Sequence, residues 1–152
     1  MTPATTVDAV LAANGQFYAA LEACDLDLMS AVWEHSDRVV VTHPGWPMLR
    51  GWARVVGSWD AIFRNTRFIQ FVLTDEQVVV SGSTAWVTLD EHILQGTDPG
   101  VDPDAALAGA HATATNLFVH DGERWLMVGH HSSPVGVDTD EEDDGDASTT
   151  GN

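Results

Sequence analysis

Polar and apolar positions alternate along this chain with two different periods, and the change of period divides it into elements. From Val7 to Glu22 the residues Val7, Val10, Leu11, Phe17, Tyr18 and Leu21 recur every three or four positions, which predicts a helix with one buried face. Asn14 interrupts that face with an amide. Asp25 is a suitable N-cap for a second, short helix that buries Met29, Val32 and Trp33. A third helix is predicted from Trp52 to Phe63, where Trp52, Val55, Val56, Trp59 and Phe63 form an apolar stripe.

The strands alternate instead. Arg38 to His43 places Val39, Val41 and His43 on one side. Phe68 to Ser81 is rich in Phe, Ile and Val and reads as one long or bent strand, closed by the turn Ser81-Gly82-Ser83. Thr84 to Leu94 is the next strand, and Asp98 to Gly109 reads as a loop. His111 to His120 and Arg124 to Ser132 form a hairpin about Asp121-Gly122. Helices first and an antiparallel meander afterwards indicate an α+β domain over residues 1–135, a curved sheet wrapped over three helices as a cone with a cavity at one end. From Gly136 the chain is acidic, polar and small, too poor in apolar surface to offset the entropy of ordering, and residues 136–152 are expected to be a disordered tail.

Within this pattern the informative residues are polar ones on apolar rows. Ala85, Val87, Leu89, Glu91 and Ile93 share a face, so Glu91 points with the core residues. Asn116 shares the row Ala112, Ala114, Phe118. A two-residue turn at Asp121-Gly122 sets His120 against Glu123 and puts Trp125, Met127, Gly129 and His131 on the row with Asn116; a one-residue bulge exchanges His131 for His130. An unpartnered buried polar group costs on the order of 1–3 kcal/mol. Several converging on one cavity therefore suggest a site, with His43, Glu91 and Asn116 as its chemistry and Tyr18, Trp46, Trp59 and one of His130 or His131 as its walls. Taken singly, each has a structural reading too, as an edge ion pair, a bulge partner or a hydrogen-bonded core residue.

Charge narrows the partners. The 152 residues hold 23 acids against six arginines and no lysine, a net −17. Seven acids lie between Asp138 and Asp146, leaving 16 against six and a body at −10. Such a surface repels phosphates, so neither nucleic acid nor an anionic membrane is expected as partner, and dense carboxylates suit solubility or high salt. One cysteine, Cys24, allows no internal disulfide, and no apolar run approaches a membrane span. The expected compartment is the cytoplasm. No dinucleotide, phosphate-loop or nucleophile-elbow motif is present, so no cofactor is expected. No metal is expected either: adjacent His130 and His131 face opposite ways on a strand, against a zinc site of His43, Glu91 and His131.

The run Phe17-Tyr18-Ala19-Ala20-Leu21-Glu22-Ala23-Cys24-Asp25-Leu26-Asp27, Trp33, and His43-Pro44 at the end of the first strand resemble the opening of SnoaL-like and ketosteroid isomerase-like proteins of the nuclear transport factor 2-like superfamily. Ala85-Trp86-Val87-Thr88 with Glu91, Ala114-Thr115-Asn116 with Phe118, and His130-His131-Ser132-Ser133-Pro134 extend the resemblance over residues 7 to 135. It implies the cone fold and a homodimer formed through the outer face of the sheet, where Trp86 lies. The tryptophans on the buried stripe of the third helix are large flat walls that suit a small apolar or planar organic ligand. In ketosteroid isomerases an aspartate before proline shuttles the proton; His43 matches it here. Their oxyanion tyrosine matches Phe17, with Tyr18 about 100° round the helix, and their protonated aspartate matches Asn116, whose amide donates without any proton uptake. The implied functions are an isomerase or cyclase moving a proton next to a carbonyl, or a ligand-binding or dimerisation module without chemistry.

Overall fold

The computed structural model describes residues 4–96 and 107–136. Helix α1 runs Ala4–Ala23, α2 Leu26–Val32 and α3 Trp52–Arg64; the strands are β1 Val40–Thr42, β2 Leu49–Arg50, β3 Phe68–Ser81, β4 Thr84–Gly96, β5 Leu107–His120 and β6 Trp125–Pro134. The strands form a six-stranded sheet in the order β2-β1-β6-β5-β4-β3, antiparallel except that β1 lies parallel to β6. The helices lie on the concave face of this α+β fold, as the pattern predicts.

Helix α1 begins at Ala4, one turn earlier than expected. It buries Val10, Ala13, Asn14, Phe17, Tyr18 and Leu21, positions three and four apart that share one face. It ends at Cys24, whose φ of 50° turns the chain out of the helix. Asp25 then caps α2, its Oδ1 accepting the Leu28 amide at 3.1 Å. The third helix buries Val55, Ser58 and Trp59 toward the sheet.

On β4, Ala85, Val87, Leu89 and Glu91 are buried; on β5, Ala112, Ala114, Asn116 and Phe118 are buried, while the residues between are exposed or half-buried. The alternation therefore gave the inward rows of both strands. Beyond the earlier start of α1 and the short β2, which the sequence reading did not contain, three details differ. Strand β5 starts at Leu107, inside the segment read as a loop, because Leu107 to Gly109 pair with Gly96 to Leu94 of β4. The rest of that loop and all of the predicted tail beyond Gly136 lie outside the described residues. The hairpin between β5 and β6 is also longer than two residues: His120 pairs with Trp125, and Asp121 Oδ1 accepts the amides of Glu123 at 2.8 Å and Arg124 at 2.9 Å. An aspartate that folds its carboxylate onto the following amides stabilises this wider turn.

The third difference decides the site. Phe118 faces Met127 but Leu117 faces Gly129, so Val128 is an extra residue on β6. Before the bulge Trp125 and Met127 point inward; beyond it the inward residues are His130 and Ser132. Strand β3 bulges too, between Thr74 and Gln77, with Asp75 at a φ of 57°.

Candidate active site

His43, Glu91, His130 and Ser132 face one cavity of about 220 Å³ at the end of the sheet. Each arrives from a different element. His43 follows β1, where Val39, Val41 and His43 are all buried on one side. The next residues, Pro44-Gly45, form a turn with Gly45 at a φ of 82°, and the Trp46 amide donates to the His43 carbonyl at 2.9 Å. This turn folds the Trp46 ring back to 4.9 Å from the His43 ring, at the cavity mouth. Trp59 of α3 forms the opposite wall, edge-on to His43 at 4.6 Å and 6.1 Å from His130. Leu21, Pro44, Ile62, Ile69, Phe71 and Ile93 supply apolar lining, and Gln95 also lines the cavity.

His43 is held at one nitrogen. Its Nε2 lies 2.9 Å from Ser58 Oγ, and the Ser58 hydroxyl donates to the Val55 carbonyl at 2.7 Å. With the hydroxyl proton so engaged, Oγ accepts, and Nε2 carries the imidazole proton. The lone pair is then on Nδ1, which has no partner among the described residues. Burial pushes the His43 pKa down to about 4, so the ring is neutral at neutral pH.

His130 is held the opposite way round. Its Nδ1 donates to Asn116 Oδ1 at 2.6 Å, leaving the lone pair on Nε2. Burial, followed by the neighbouring His43 and His131, lowers its pKa to about 3. Glu91 Oε2 accepts the Tyr18 hydroxyl and Oε1 accepts Ser132 Oγ, both at 2.6 Å. Burial raises the Glu91 pKa, while those two hydrogen bonds oppose the rise. The Tyr18 hydroxyl is pushed well above its ordinary pKa by burial and by Glu91, so it stays a donor.

The residues expected at the site thus divide into three groups. His43, Glu91, Trp46, Trp59 and His130 line the cavity. Asn116 and Tyr18 do not line it; they stand behind and hold the groups that do, with Asn116 Nδ2 3.1 Å from the Tyr18 oxygen. His131 is exposed on the other face of the sheet, against the row that a hairpin without a bulge predicts, because the extra Val128 inverts the facing of every residue after it. His43, Glu91 and His131 therefore do not meet, and among the described residues no group of three His, Cys, Asp or Glu side chains is placed to hold a metal ion. Sequence reasoning missed Ser58, a small polar residue that carries no signal in an apolar pattern, and named Ser132 only within the run His130-His131-Ser132-Ser133-Pro134. It noted Asn14 only as an interruption, although Asn14 Oδ1 accepts from Asn116 at 2.8 Å.

A curved sheet over three helices, with a cavity that carries a polar cluster, is the nuclear transport factor 2-like architecture. The SnoaL-like domain family matches residues 10–137, and the chain belongs to that family. A solved structure from Streptomyces avermitilis, of the NTF2-like family and provisionally named a dehydratase, is 40% identical with a TM-score of 0.82, over 89% of this chain and 100% of that one. A Thiobacillus denitrificans structure, provisionally named a calcium/calmodulin-dependent protein kinase type II association domain, is 30% identical with a TM-score of 0.70, over 82% and 94%. The F-box protein SKIP8 of Arabidopsis thaliana is 27% identical over 133 residues, 88% of this chain and 52% of that protein, so the chain spans about half the length of that relative. Among the described residues no helix is long and apolar enough to cross a membrane.

Proposed function

We propose that this protein moves protons on a small neutral organic molecule next to its carbonyl group, and that its reaction is a dehydration. One observation carries the reading: two neutral imidazoles with opposite tautomers and one carboxyl of raised pKa face the same cavity. A neutral imidazole is a competent base, and a carboxyl of raised pKa is a competent acid in the state in which it holds a proton. His43 Nδ1 removes a proton α to the carbonyl. The C–H electron pair becomes the new carbon–carbon double bond. The β-hydroxyl leaves with its bonding pair and takes the Glu91 proton, departing as water; His43 then returns its proton to Glu91 through solvent. Isomerisation or cyclisation shares the first step. The dehydratase name of the 40% identical relative supports elimination as the outcome.

The walls constrain the substrate. A cavity of about 220 Å³ holds roughly one substituted ring, since an apolar void of about 150 Å³ accommodates benzene. Trp46, Trp59 and Phe71 are flat surfaces that suit such a ring. No arginine lines the cavity, the chain has no lysine, and Glu91 does face it, so a carboxylate or phosphate substrate finds no counter-charge.

The test incubates the protein in D2O with neutral one-ring β-hydroxy ketones and matched compounds bearing a ring carboxylate. Deuterium at the α-carbon and the absorbance of the conjugated product are followed. Exchange and elimination of the neutral compounds, reduced on the order of 100-fold or more in His43→Ala, are expected. A second reading, an assembly module without chemistry, is favoured by the 30% identical association domain. It prevails if no compound exchanges faster than with His43→Ala.

A further inference from the structure

We propose that Glu76, an exposed residue on the bulge of β3, is a positioning residue for the cavity: through Asn14 and Asn116 it keeps the proton on His130 Nδ1, and so leaves a lone pair and not an N–H on Nε2. The two asparagines are fully buried and link the surface carboxylate to the imidazole through a series of hydrogen bonds. Asn14 Nδ2 donates to Glu76 Oε2 at 3.1 Å. A carboxylate only accepts, so this contact turns the Asn14 amide nitrogen outward and its oxygen inward. The inward Asn14 Oδ1 accepts from Asn116 Nδ2 at 2.8 Å, which fixes the second amide in turn. Asn116 Oδ1 is then the atom facing His130, and an oxygen there demands a proton on His130 Nδ1, 2.6 Å away.

Asn116 has a second anchor, the Tyr18 hydroxyl oxygen 3.1 Å from Nδ2. That anchor depends on Glu91. While Glu91 is ionised, Tyr18 donates to it at 2.6 Å and its oxygen accepts from Asn116. Once Glu91 holds a proton, it can donate to Tyr18, and Tyr18 can donate onward to an inverted Asn116. The Tyr18 side therefore orients Asn116 in only one protonation state of Glu91. Glu76 lies outside that exchange and holds the amides in one direction through both states. Such a device matters where Glu91 gains and loses a proton during turnover, and to that extent the inference rests on the function proposed above.

The experiment reads the tautomer and needs no substrate. Long-range ¹⁵N–¹H correlation of the seven labelled histidines distinguishes a protonated ring nitrogen from a bare one. Wild-type His130 is expected as a single Nδ1–H form at pH 7. Glu76→Ala removes the anchor, and the Nε2–H form should rise to a comparable population. Glu76→Lys replaces an acceptor with a donor, and the Nε2–H form should dominate. Glu76 is at the surface, so Glu76→Ala is expected to keep the fold, checked by its thermal midpoint, and it decides the matter if the lysine variant does not fold. A wild-type His130 that is mixed or Nε2–H overturns the proposal, as does an unchanged Nδ1–H form in Glu76→Ala. Either result leaves the deuterium-exchange test untouched, and absent turnover leaves the tautomer result standing.

Discussion

Ser58 Oγ accepts the Nε2 proton of His43 at 2.9 Å while giving its own proton to the carbonyl of Val55. One serine on the buried side of α3 thereby fixes the tautomer of an imidazole that belongs to a different element. The Val55 carbonyl has a second lone pair for this bond, so the helix gives up nothing to provide it.

Removing that hydroxyl should be costly in two ways. Ser58→Ala leaves the His43 Nε2–H buried without an acceptor, a loss of about 1–3 kcal/mol that chemical denaturation would read. The same variant should lose turnover of any substrate found, and Ser58→Thr, which keeps a hydroxyl, should restore most of both. An alanine variant as stable and active as wild type would show that His43 is held by another contact.

Stability should depend on pH in two opposite directions. His43 and His130 have folded-state pKa values near 4 and near 3 against an ordinary 6.5. Between those values and 6.5 the unfolded chain binds protons that the folded one refuses, so stability falls as pH drops from about 6.5 toward 4. A shift of this size corresponds to on the order of 3–5 kcal/mol per histidine. Glu91 acts with the other sign. Its raised pKa means that the folded chain keeps a proton the unfolded chain releases, so its contribution is full below the ordinary carboxyl value of 4.5 and fades as pH rises through the folded-state pKa. Thermal midpoints between pH 4 and 8 should show a smaller acid-side loss in His43→Asn than in wild type. Glu91→Gln should retain the acid-side loss and lack the component that fades with rising pH. Parallel profiles for all three proteins would contradict these assignments.

The outer face of the sheet should be covered by a second copy of the chain. Val79 on β3, Trp86 on β4 and Leu117 on β5 pair in one row across three strands, and Val79 and Leu117 are 44% and 37% exposed. Apolar rows of this kind on a sheet commonly mark an interface between subunits. Leu117 also leans over Gly129, where an added Cβ would lie 3.0 Å from its Cδ1, so the row continues onto β6 without a projecting side chain. Light scattering at micromolar protein and moderate salt should give twice the 16.4 kDa chain mass, and Leu117→Asp should give the single mass. A wild-type monomer under those conditions would rule the interface out.

How far the sequence reached depended on whether the relevant physics was local. Alternation along β4 and β5 placed Glu91 and Asn116 inward without any knowledge of the tertiary fold, because a strand's side chains alternate whatever it pairs with. The helical stripe placed Trp59 inward for the same kind of reason. The choice between His130 and His131 was not local. It depended on the extra residue at Val128, a property of the pairing between β5 and β6 that neither strand's own pattern records. The chain by itself therefore determined the three helices, the longer strands, the inward rows of β4 and β5 and the polar residues those two rows carry. Only the tertiary structure decided that Asn14 and Asn116, 102 positions apart, share a hydrogen bond, that Ser58 and Ser132 serve His43 and Glu91, and that Tyr18 stands behind the cavity. The reason is that a buried polar group must find its partner in space: its chemistry is written at one position, and the partner that satisfies it is supplied by whichever element packing brings within about 3 Å.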